Sequence, residues 1–187
     1  VMHVVFRESR GLEETEVPTD PGQSPADLVV LSYSDSDLGA FAAGWHRGQG
    51  TLPSLRLCNI SALRHPVSVD NYIDTTLSGA RAVLVRLIGG EAYWPYGVAS
   101  LQDVARRRGI ALALLPADGR PDATLERFST LDAAMLHRLT ALCDEGGAVA
   151  AQTALAELAR AAGLPAAPVT GQTTIPQWGF YDPGAGV

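Results

Sequence analysis

The sequence predicts an α/β domain: a doubly wound, mostly parallel, flavodoxin-like sheet with helices on both faces and extra C-terminal helices. Three observations lead there. Four short apolar runs, DLVVLSYS, SLRLCNIS, ARAVLVRLI and IALALLPA, recur between residues 27 and 117. Apolar residues at helical spacing fill the intervals between them. The runs are themselves apolar almost without a break, as strands are when helices cover both faces of a parallel sheet. Right-handed crossovers then wind the chain into an open sheet. With 187 residues, 47% of them apolar, the chain can bury one sizeable core.

Residues 1–26 hold one β-like run, HVVF, followed by acidic and turn residues, which predicts an edge strand and a long loop. The first interior strand is placed at 27–34. Leu38, Phe41, Ala42 and Trp45 then fall at helical spacing behind Ser36, a good N-cap type, and Gly48 supplies the stop. Residues 54–61 give the second strand. In 68–79 Val69, Ile73 and Leu77 lie four apart on one helical face between a cap serine and a terminal glycine. The third strand, 80–88, is the most continuous. After it, Ser100 and Asp103 make a short-acid capping box, with Arg106, Arg107 and Arg108 where the negative end of a helix favours cations. The fourth strand is 110–117. Residues 129–145 and 148–162 predict alanine- and leucine-rich helices broken by Gly146 and Gly147, with Leu131, Met135, Leu139 and Leu142 as a stripe packed on the sheet. These elements make an α/β domain over 1–163 and a Pro/Gly-rich tail over 164–187. That tail carries Trp178, Phe180 and Tyr181, rings that need cover from the tail itself or from continuing polypeptide.

Composition excludes several functions. Fourteen basic residues stand against 20 acidic ones, with no basic block beyond Arg106 to Arg108, so no positive field draws a nucleic-acid backbone. No apolar run approaches the roughly 20 residues of a membrane span, and the N-terminus lacks the order of a signal peptide, which predicts a cytoplasmic protein. Cys58 and Cys143 form neither a disulfide framework nor a zinc pattern, and the four histidines show no short metal-ligand spacing; no metal site is expected. Every basic residue is arginine. Without lysine there is no Walker-type phosphate loop and no Schiff base, so any ATP would be hydrolysed on another chain.

In an open parallel sheet, ligands bind beyond the carboxyl ends of the strands. Of the loops there, SYSDSD lacks glycine and its carboxylates oppose a phosphate, and no G-x-G-x-x-G follows a strand. Spacing alone assigns no catalytic acid, base or triad. The stretch RLIGGEAYWPYG is the informative one. Gly89 and Gly90 permit a sharp turn off the strand tip with exposed amides, and Tyr93, Trp94 and Tyr96 crowd behind them. Two readings stand: a folding corner whose rings cap the core, or a ring wall offering stacking area to a flat ligand.

Read with its neighbours, VDNYIDTTLSGARAVLVRLIGGEAYWPYGVASLQDVARRRGIALALLPADGRPDATLERFSTL resembles the N-terminal part of the CobN family, the large subunit of aerobic cobaltochelatase, related to the H subunit of magnesium chelatase. GQSPADLVVLSYSDSDL and GFYDPGAG fit the same pattern, so the likeness covers nearly the whole chain. The resemblance implies a tetrapyrrole-binding subunit several times longer than this chain, which would then be one N-terminal domain, not active alone. It implies Co2+ and hydrogenobyrinic acid a,c-diamide as substrates, and AAA+ ATPase partner subunits that hydrolyse the ATP; this domain itself is expected to hold no cofactor. It carries no catalytic residue onto this chain. The expected substrate surface is Arg86, Gly89, Gly90, Tyr93, Trp94 and Tyr96, with Arg86 pairing a carboxylate or acetamide oxygen and Tyr93 and Trp94 against the macrocycle. A magnesium chelatase domain and a free-standing binding module are the alternatives.

Overall fold

The computed structural model describes residues 20–171. The HVVF run and the rings at 178, 180 and 181 lie outside the described residues. Four strands, β1 (Leu28–Ser32), β2 (Leu55–Asn59), β3 (Ala82–Leu87) and β4 (Ala111–Pro116), pair in parallel in the order β2-β1-β3-β4. Leu31 lies opposite Cys58 on one side and Val85 on the other, which fixes the register at the centre. Strand alternation then divides the core. Val29, Leu31, Val83, Val85, Leu112 and Leu114 face one side, and Leu28, Val30, Ala82, Leu84, Ala113 and Leu115 face the other.

Against the first face pack α2 (Pro66–Asp74), α3 (Pro95–Arg108) and the short α4 (Ala123–Phe128), through Val69, Ile73, Val98, Leu101, Val104 and Leu125. Against the second pack α1 (Asp35–Arg47), α5 (Ala133–Glu145) and α6 (Gly147–Ala161). The sheet is therefore doubly wound, as the sequence predicts. The last helix is almost wholly buried because its alanines let it approach α1 closely. A Cβ on Gly44 of α1 would sit 2.6 Å from the Gln152 backbone nitrogen, so only glycine fits that crossing.

The helix starts differ from the sequence reading, each for a local reason. Ser34, not Ser36, caps α1, accepting from the Asp37 amide at 3.2 Å. The second helix begins at Pro66, whose fixed φ suits a first turn; the His65 ring nitrogen caps it, accepting from the Val67 amide at 3.1 Å, and Ser68 lies buried inside the helix. Residues 76–79, included in that helix by the sequence reading, form a separate 3-10 turn. The third helix starts at Pro95, before Ser100 and Asp103, so there is no capping box; Asp103 instead pairs with Arg107 one turn on at 2.9 Å. In α5 the buried stripe is Leu136, Leu139 and Leu142, with Leu131 and Met135 only partly covered.

Among the described residues, the outer edge of β4 has no fifth strand beside it. Ser129 and Thr130 take that place with their hydroxyls, accepting from the amides of Leu114 (2.9 Å) and Leu112 (2.7 Å), while the Thr130 amide donates to the Leu112 carbonyl at 2.9 Å. The exposed edge is thus satisfied over its first half.

Candidate functional site at the carboxyl edge

From β1 the chain goes one way to β2, and the sheet continues the other way to β3, so the crevice between the carboxyl ends of β1 and β3 is the switch point of the fold. Arg86 stands there. Two-residue alternation puts it on the same face as Ala82 and Leu84, beneath α1 and α5, and it is only 5% exposed. A buried guanidinium needs partners. Its Nε donates to Asp37 at 3.4 Å, one terminal nitrogen donates to the Pro116 carbonyl at 2.7 Å, and the other donates to Asp144 at 3.0 Å. The Ser32 hydroxyl donates to the same Asp37 oxygen at 3.0 Å. Burial opposes the arginine's charge, but the carboxylates of Asp37 and Asp144 more than restore it, and its pKa lies above the ordinary guanidinium value. Arg86 therefore ties β3 to α1, α5 and the end of β4; it does not stand open to a substrate carboxylate. A hollow of about 300 Å3 beside it is lined by Ser36, Phe41, Cys143 and the Gly146-Gly147 turn. Burial pushes the Cys143 thiol up to about 12.

The double glycine turns off β3 with φ of 84° at Gly89 and 74° at Gly90, a region that disfavours any side chain. At Gly90 a Cβ would also meet Asp122 at 2.9 Å. The three rings behind it part company. Trp94 is 4% exposed, sunk among Leu63, Val98 and Leu101, and its indole N–H donates to the Leu63 carbonyl at 3.0 Å. The expectation that it faces a macrocycle is corrected: burying this large ring gains more than exposing it, and its one polar atom finds a carbonyl inside. Tyr93 is 53% exposed, packed on Gly89 and edge-on to Tyr33 with centroids 5.0 Å apart. Tyr96 is 42% exposed and its hydroxyl donates to Asp70 at 2.6 Å, the main cause of its raised pKa. One ring thus caps the core and two remain outside, joined by Ile88 at 52% exposure.

Two curated relatives are named aerobic cobaltochelatase subunit CobN. One from Sinorhizobium sp is 38% identical over 146 residues, 78% of this chain, and one from Pseudomonas aeruginosa is 36% identical over the same length. Over those residues this chain is homologous to CobN. It spans only 11% and 12% of the two CobN relatives. No protein-family model matches it. A solved structure, the catalytic subunit of cobaltochelatase from Mycobacterium tuberculosis, shares the fold with a TM-score of 0.57 at 21% identity, over 80% of this chain and 12% of that one.

In this CobN homologue the sequence reading named Arg86 but not the acidic residues it meets. Asp37 and Asp144 lie far from Arg86 along the chain, and the signal that could have pointed to them is a charge inside an otherwise unbroken apolar strand, which demands carboxylates overhead. Among the described residues, no three His, Cys, Asp or Glu side chains gather where they could hold one metal ion, and no helix is long and apolar enough to cross a membrane.

Proposed function

We propose that this chain serves as the N-terminal α/β domain of the large subunit of an aerobic cobaltochelatase, working in the cytoplasm. Residues 1–163 form the domain and 164–187 lead to the next one. The reaction is insertion of Co2+ into hydrogenobyrinic acid a,c-diamide, with ATP hydrolysed on AAA+ partner subunits. The observation that carries the reading is the homology with CobN over 146 residues. The absence of lysine from the sequence supports the division of labour, since a phosphate loop of the Walker type needs one.

In this role the carboxyl edge forms part of the wall facing the tetrapyrrole. Tyr93 and Tyr96 offer ring area, and the amides of Gly89 and Gly90 suit acetamide or carboxylate oxygens on its rim. Arg86 and Trp94 hold that corner from within. Cobalt insertion by the complete large subunit with its ATPase partners, followed by the absorbance of the corrin product, tests this. Tyr93→Ala is expected to raise the KM for the diamide several-fold and leave kcat little changed. A subunit lacking this domain that still inserts cobalt at the full rate would overturn the proposal.

A further inference from the structure

Beyond the carboxyl end of β4, between α4 and α5, lies a second hollow of about 380 Å3. It arises from what the sequence places there. Ser129 and Thr130 cover only the first half of the β4 edge, and β4 ends in Pro116, which has no N–H to recruit another strand. On α5 the cavity face runs through Leu136, Thr140, Ala141 and Asp144, one side of the helix at i, i+4, i+5 and i+8. The middle two are small, and the space they leave is not refilled. Its volume falls within the range of small-molecule sites.

The polar groups on these apolar walls have one prevailing character. Asp122, Glu126 and Asp144 all line the hollow. Each commits one oxygen to a protein partner: Asp122 to the Leu125 amide at 3.0 Å, Glu126 to the His137 ring at 2.8 Å and Asp144 to Arg86 at 3.0 Å. The second oxygen of each has no hydrogen bond from a described residue. The Thr140 hydroxyl donates to the Leu136 carbonyl at 2.8 Å, which leaves its oxygen to accept. Arg120 is the opposing cation on the rim, and Arg86 behind Asp144 is already shared with Asp37. Three carboxylates thus line the hollow against the single guanidinium of Arg120 and the His137 ring, which is already engaged by Glu126, and acceptors outnumber donors.

We propose that this hollow is a binding site for a small organic cation, an ammonium or amidinium head on an apolar body. The body rests on Leu114, Leu136 and Ala141, and the head meets the carboxylates of Glu126 and Asp144. The site is independent of the chelatase role.

Tryptamine and indole-3-acetate test it, because they share a ring system and differ in the sign of the head group. Titrated calorimetrically into the whole chain, the amine is expected to bind about tenfold or more tightly than the acid, the sense that the surrounding carboxylates impose. Glu126→Gln should weaken the amine about threefold and leave the acid unchanged or slightly improved. Ala141→Phe, which fills the space without altering charge, should abolish binding of the amine while the circular dichroism of the chain is retained. Equal binding of the two ligands, no binding of either at millimolar concentration, or amine affinity that survives both substitutions would overturn the proposal.

Discussion

Two corners of the same sheet edge solve the same problem in opposite ways. Where the chain leaves β3, the space beyond the strand is filled: Trp94 drops into it, and α3 makes room through Gly97, whose absent side chain would lie 1.9 Å from the indole ring. Where the chain leaves β4, Thr140 and Ala141 leave about 380 Å3 open. Both corners have an aspartate nearby that satisfies local polar groups, so the difference is one of volume. A filled corner fixes the backbone that carries Tyr93 and Tyr96. The open corner retains room for a guest.

The contrast breaks most sharply at Gly97. In Gly97→Ala the added methyl overlaps three indole carbons at 1.9 to 2.2 Å, so the ring must leave its pocket. The cost is at least that of emptying a buried Trp site, about 3–5 kcal/mol, a large part of the 5–15 kcal/mol that holds a typical domain together. Urea denaturation should show the unfolding midpoint lowered by a corresponding amount, with a marginally stable chain left partly unfolded in water. Unchanged stability would mean that Trp94 does not occupy this position. Trp94→Phe is the milder break: most of the ring area stays, but the Leu63 carbonyl loses its donor. A loss of about 1–3 kcal/mol is expected in the same measurement, from the stranded carbonyl and the smaller ring.

The two cysteines sharpen the comparison, since Cys58 is buried in the filled side and Cys143 borders the hollow beside Arg86. Burial pushes the Cys58 thiol from 9.0 to about 12. A group raised in the folded state contributes stability that is complete below its unfolded pKa and is lost as pH rises toward the folded one. Stability should therefore fall between about pH 9 and pH 12, by up to about 1.4 kcal/mol per unit for this thiol, and Cys58→Ala should remove that part of the slope. Chemical denaturation across that range measures it. At neutral pH a thiol reagent should label Cys143 before Cys58, because an opening of the hollow exposes one and only global unfolding exposes the other. Simultaneous labelling would show that the hollow beside Arg86 and the filled corner open as one unit.

The strands were legible because a parallel strand covered on both faces is apolar almost throughout, as β1, β3 and β4 are, while the edge strand β2 keeps Arg56 and Asn59 and is only half-buried. Helix starts were less so. Ser36, Ser68 and Ser100 are good cap residues, but Pro66 and Pro95 start their helices earlier, with His65 and Trp94 in the cap positions. The six-residue α4 was missed, being shorter than the window in which helical spacing repeats. At the site, the glycine doublet turns the chain off β3 as the sequence predicts, while the three rings grouped behind it part company. Whether a ring at a strand end turns in or out depends on what the adjacent helix leaves free, and that was settled for Trp94 by Gly97, a residue with no signal of its own. The hollow was not legible at all, since it is made of side chains that are small rather than of any that are present.

The smallest effect expected is also the one that separates the two corners most cleanly. Ala141→Leu adds three methylene-sized groups to the wall of the hollow. If the space is open as described, those groups find apolar surface on Leu114 and Leu136 and displace water. Burial at about 0.8 kcal/mol per group would then be partly offset by incomplete coverage and the lost freedom of the new side chain, which leaves a net gain of about 0–1 kcal/mol. The same enlargement at a filled site costs about 1–3 kcal/mol from overpacking. The sign of the change in the urea midpoint therefore reports directly on whether α5 and β4 enclose real room. A loss beyond about 1 kcal/mol would place Ala141 in a packed wall like that around Trp94. In that case the guest site would have no space to occupy.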